Sequence, residues 1–193
     1  MELPKATYPP SLRKWIDHAP EMPLGPGEPV EAGASLREMP LEAIFEEGTV
    51  HDAAMARCCL AGLLLRYNWL KASHALSQSV LNATGSYWHG IMHRREPDYG
   101  NAKYWFQKAG SHPIFPLLAN AAHELNDAFR HVPEAGFLSE LTSWSPGAFV
   151  DLCENVIDSG SEAEQLAVRI QREEWDLLMA YSYLAATTAQ TSL

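Results

Sequence analysis

The stretch GSYWHGIMHRREPDYGNAKYWFQKAG, Gly85 to Gly110, decides how this chain is read. Two helical patterns meet in it. The first covers 85–95, where His89 and His93 stand four residues apart, so that their rings share one helix face. Pro97 cannot continue a helix and stops it. Asp98 is a good cap for a second helix over 99–109, and Gly110 takes the usual position after a helix end. The first helix carries Tyr87, Trp88, Ile91 and Met92 beside the histidine face, which leaves little of its surface for water.

The pattern continues outward from Thr49. Thr49 followed by Asp52 is an N-cap signal for a helix over 50–66, whose apolar residues cover nearly every face, as in a central helix. Asn68 opens a helix to about Leu81, and the NATG stretch breaks it. A helix over 114–130 follows, with Leu118, Ala122 and Leu125 in its stripe. Ser145-Pro146 caps a helix to about Asp158. Ser161 with Glu164 makes a capping box for a last, long helix to about Thr188. No segment alternates in the manner of a strand. The expectation is an all-α protein, a compact bundle of about seven helices forming one domain over 49–193.

Residues 1–48 read differently. Eight of the thirteen prolines lie within the first forty positions, and proline removes backbone donors and fixes φ. A short helix is expected at 11–18 and an extended Pro/Gly-rich strap from Ala19 to Pro40.

One spacing in the opening stretch resembles a known pattern. Gly90 is followed twelve residues later by Ala102, then by Phe106 and Ala109, with Pro113 beyond. This resembles the tetratricopeptide repeat, in which a small residue lets two antiparallel helices approach each other. The resemblance implies a helical hairpin over 84–110, with Ser86, His89, Gly90 and His93 packed on Ala102, Phe106 and Ala109. His89 and His93 then stand where that family places leucine and tyrosine. No second copy lies 34 residues up or down the chain, so the family's peptide groove does not follow. The chain as a whole also resembles an uncharacterised family of bacterial helical proteins, which implies no activity.

A net charge of −10 argues against nucleic acid, because phosphate binding needs a concentrated basic face. Arg94-Arg95 is the only basic cluster worth naming, and Glu96 and Asp98 follow at once. Cys58, Cys59 and Cys153 read as reduced, buried thiols, hence a cytoplasmic protein. The longest apolar run, CCLAGLLL, is too short to span a membrane. There is no nucleophile elbow, no phosphate-cradling glycine loop and no dinucleotide motif.

Two histidines at i and i+4 can share a metal ion, zinc being the usual choice. His89 and His93 are the expected ligands. His74, Glu96 and Asp98 are candidates to complete the sphere, as is Glu174, which interrupts the apolar stripe of the last helix. A buried carboxylate there needs a cationic or metal partner. The alternative is structural: His74, His89 and His93 packed and hydrogen-bonded in a core, and Glu174 bridged to an arginine. Two functions follow. One is a soluble, non-enzymatic module that binds a protein or small ligand beside the hairpin, with Tyr99, Tyr104 and Trp105 as anchors. The other is a metal-dependent enzyme that activates water on a divalent ion held by His89 and His93.

Overall fold

The computed structural model describes residues 6–45, 48–130 and 132–189, so parts of the expected N-terminal strap, 1–5 and 46–47, lie outside the described residues. Among the described residues the chain is all-helical, with eight α-helices, three short 3-10 segments and no strand. The α-helices are α1 (Pro10–Asp17), α2 (Ala53–Arg66), α3 (Leu70–Gln78), α4 (Ala83–Arg95), α5 (Tyr99–Ala109), α6 (Phe115–Ala128), α7 (Pro146–Val156) and α8 (Glu162–Thr187). No helix among the described residues is long and apolar enough to cross a membrane.

Local chemistry sets most of the boundaries. Asp52 caps α2, its carboxylate accepting the N–H groups of Ala54 and Met55. The helix therefore starts three residues after the position expected from Thr49. Asn68 adopts a left-handed φ of 59°, which asparagine tolerates. That turns the chain between α2 and α3 and delays α3 to Leu70. α3 ends at Gln78, short of the expected Leu81, which is left outside the helix at 93% exposure. Asn82 caps α4 through the N–H of Gly85, so the break and the new helix start coincide. Ser161 caps α8 through the N–H of Glu164. The Glu164 carboxylate accepts in return from the N–H groups of Asp158 and Gly160.

α2 is buried along nearly its whole length and lies at the centre, packed on α3, α4 and α8. α4 packs most closely on α5. A Cβ added to Gly90 would lie 2.9 Å from the Phe106 ring, so the two helices touch across a residue without a side chain. The faces of α4 divide differently from the expectation. Trp88 turns towards α2 and α8, where its ring meets Trp175 and its indole N–H donates to the Ser182 hydroxyl. Tyr87 turns instead towards Phe106, His112 and Phe115.

The N-terminal segment is part of this core. Leu12, Met22, Leu24, Leu36, Ile44 and Phe45 are buried against it. It is not extended throughout, since Glu31–Arg37 forms a 3-10 turn. Polar contacts hold it at several points. Tyr67 donates to the carbonyl of Trp15, Asn68 to that of Glu28 and Trp69 to that of Val30. Arg95 and Gln171 reach the carbonyls around Pro23.

Candidate metal centre

α3, α4 and α5 meet in a seam, and the histidines occupy it. His89 and His93 project from one face of α4, and α3 brings His74 against both. One ligand atom from each of the three rings lies within 4.8 Å of the others. The closest pair is His89 Nε2 and His93 Nε2 at 2.9 Å. His89 and His93 are buried, and His74 is half-buried at the mouth. The neighbours fix the rings. Trp105 of α5 stacks on His89, with centroids 3.9 Å apart and planes inclined by 22°. The Asn101 amide reaches His93 Nε2 at 3.1 Å. Burial, with His93 and His74 next to it, lowers the His89 pKa to about 3. Burial and His74 also lower that of His93, against an opposite pull from Asp98 and Glu96. Both rings are thus neutral at pH 7, the form in which imidazole binds metal.

The remaining candidates are placed as follows. Glu96 and Asp98 lie on the outer side of His93, each with a carboxylate oxygen 3.7 Å from Nδ1, and so away from the Nε2 pair. Glu174 is not in the seam. It is fully buried and bound to Arg94, whose Nη2 lies 2.5 Å from Oε2. The Tyr87 hydroxyl donates to its other oxygen at 3.0 Å. Of the two expectations for Glu174, the place in a histidine site is corrected and the bridge to an arginine is the one that forms: its carboxylate is engaged by α4 residues that face away from His89 and His93. Arg94 and Arg95, the basic cluster of the sequence, are both fully buried.

A cleft of about 680 Å³ opens beside the centre. Trp69, Leu70 and Lys71 form one wall, Pro26 and Pro29 another, and Glu96 and Asp98 the rim. Of the expected aromatic anchors, Tyr104 is half-exposed and Trp105 is used against His89.

A fourth histidine escaped the sequence reading. His112 is buried, with Nε2 at 3.2 Å from the Thr84 hydroxyl. The Ile114 backbone N–H donates to its Nδ1 at 3.4 Å. Nδ1 therefore accepts, the proton sits on Nε2, and the ring donates to Thr84. In that state it cannot take the hydroxyl proton, so the pair is not an activated nucleophile. Burial pushes its pKa down to about 4. In the unfolded chain the value is about 6.5. The unfolded state therefore binds the proton first on acidification. The contribution of His112 is complete above pH 6.5 and is lost as pH falls towards 4, by about 1.4 kcal/mol per pH unit. Urea titrations between pH 7 and 4.5 should show a shallower loss in His112→Gln than in the parent. Equal slopes would mean that His112 titrates normally in the fold.

Asn101 and His112 carried no signal in the sequence, and Trp105 read only as a ligand anchor, because each meets its partner on α4. Comparison with protein-family models, with curated proteins and with solved structures gives no match.

Proposed function

We propose that this protein binds a divalent transition metal, with His74, His89 and His93 as its ligands. The observation that carries the reading is the convergence of three imidazoles from two helices in a seam where no carboxylate meets the Nε2 pair. Neutral three-histidine sets suit zinc and its neighbours. A tetrahedral ion with metal–nitrogen bonds of 2.0–2.1 Å needs its donors roughly 3.3 Å apart. The His89–His93 pair is already closer than that, at 2.9 Å. His74 has only a short way to close, and its half-exposed position gives the ion a route in.

Three protein ligands leave a fourth position for water, the arrangement found where zinc activates water. This favours the metal-dependent reading over the plain binding module. The cleft walled by Trp69 supports the second reading, that of a small-ligand site, and the two are compatible at adjoining positions. The tetratricopeptide-like reading of 84–110 is supported by the contact of Gly90 with Phe106. It adds no groove to either function.

The test is a cobalt and zinc titration of tag-free protein. The parent should take up one equivalent, with a cobalt spectrum of four- or five-coordinate type. His93→Ala and His74→Ala should each weaken binding by more than a hundredfold while the helical circular dichroism persists. Removing a ligand must cost at least what removal of an outer-shell partner costs. A parent that stays metal-free at micromolar zinc sinks the reading and leaves the three rings as a packed polar cluster.

A further inference from the structure

Resting on the metal reading, we infer that Glu96 and Asp98 are positioning residues that hold the proton of His93 on Nδ1, so that its Nε2 lone pair faces the metal position. The geometry of the α4–α5 turn carries this. The backbone N–H groups of Glu96 and Asp98 both donate to the carbonyl of His93 itself, at 3.1 and 3.0 Å. The two carboxylates are therefore anchored to the residue whose ring they face. Glu96 Oε2 and Asp98 Oδ2 each lie 3.7 Å from His93 Nδ1. The division of labour within Asp98 is specific: Oδ1 caps α5 through the Asn101 N–H, which leaves Oδ2 for the ring. The opposite edge of the ring, Nε2, meets His89 Nε2 at 2.9 Å, and the Asn101 amide nitrogen lies 3.1 Å from Nε2 and 3.4 Å from Nδ1.

Two carboxylates on one side of a neutral imidazole favour the N–H on that side. They also make the other nitrogen a better donor to a metal, as outer-shell carboxylates do for metal-bound histidine. The other charges around the seam do not compete for Nδ1. Lys108 lies over the Trp105 ring, at 4.8 Å, and Lys71 lines the neighbouring cleft. His89 has no such partner: its Nδ1 is buried without a hydrogen bond. His93 is thus the ring whose tautomer the protein sets from outside the cluster.

The test uses Glu96→Gln with Asp98→Asn. Glutamine keeps the size of the side chain, and asparagine caps a helix as well as aspartate does. Nitrogen-15 shifts of the imidazoles in the metal-free protein at pH 7.5 should show His93 as the Nδ1–H tautomer in the parent. The double variant should show a mixture or the Nε2–H form. Zinc affinity, measured by competition with a chelator, should fall about 10–100-fold, while the thermal midpoint of the metal-free protein holds. Glu96→Gln alone, which touches no cap, should fall part of the way. A parent His93 already protonated at Nε2, or equal zinc affinity in parent and variants, overturns the inference. If the parent binds no zinc, the metal reading fails, and the tautomer measurement still decides whether the carboxylates set the ring.

Discussion

Glu174→Ala should cost on the order of 4 kcal/mol of folding stability, the usual range for removing one partner of a buried ion pair. In a chain of this size that lowers the thermal midpoint by about 8–16 °C. Arg94 and Glu174 are both fully buried. Burial alone opposes the charge on Arg94, but Glu174 beside it more than offsets that and raises the guanidinium pKa. Gln171 accepts a further bond from Arg94 at 3.2 Å, and the guanidinium lies 4.6 Å from the Phe149 ring centre. Removing the carboxylate leaves a cation in an apolar setting with one amide oxygen for company. The Tyr87 hydroxyl, whose proton burial and Glu174 both hold in place, loses its acceptor as well. The double variant Arg94→Met with Glu174→Leu should recover most of the loss, because both desolvation costs vanish together. Two Arg94 nitrogens, Nε and Nη1, have no partner, so the native pair is itself incompletely satisfied. Urea denaturation of the parent and the two variants decides the matter. A single variant within 1 kcal/mol of the parent, or a double variant below the single, contradicts the assignment.

Arg95→Ala should detach the N-terminal strap. Among the described residues Arg95 meets no carboxylate: its nitrogens donate to the carbonyls of Pro23, Gly25, Pro26 and Leu65 and to Asn68 Oδ1. Burial lowers its pKa to about 9, with Arg94 and Arg66 adding repulsion, and it remains a cation at pH 7. Without it several inward-facing carbonyls lose their donor, each at a cost of about 1–3 kcal/mol unless water enters. A total on the order of 3 kcal/mol follows if water satisfies some of them. The local effect is the sharper readout. Met22 and Leu24 are buried in the parent, and native-state thermolysin should cut beside them in the variant but not in the parent. Arg95→Lys should rescue little, since an ammonium cannot span acceptors on the strap, on α2 and at Asn68 as the guanidinium fork does. A protease-resistant strap in Arg95→Ala would show that the apolar contacts of Leu12, Met22 and Leu24 hold it unaided.

Much of the candidate centre was legible in sequence, but in pieces. The i, i+4 spacing put His89 and His93 on one face, and the stripe of the last helix marked Glu174 as a carboxylate in need of a partner. Neither pattern named the partner. His74 was one candidate among several, and its contact with both rings depends on how α3 packs across α4. Glu174 found Arg94, eighty residues away in the chain. The sequence marked Arg94-Arg95 only as a basic pair followed by acidic residues, yet α4 is buried on every side and both guanidinium groups lie in the core.

Helix type, order and most boundaries came from the chain alone, because caps, prolines and apolar spacing act within a few residues of one another. Asn68 marks the limit of that reading: its left-handed turn moved the start of α3, and local propensity allowed either course. Which faces meet was settled only by tertiary structure. A buried charge or ring is satisfied by whatever the packing brings within about 3 Å, and that geometry is set by helices distant in sequence. The strap shows the same division, since its prolines foretold irregular backbone but not the guanidinium that receives its carbonyls.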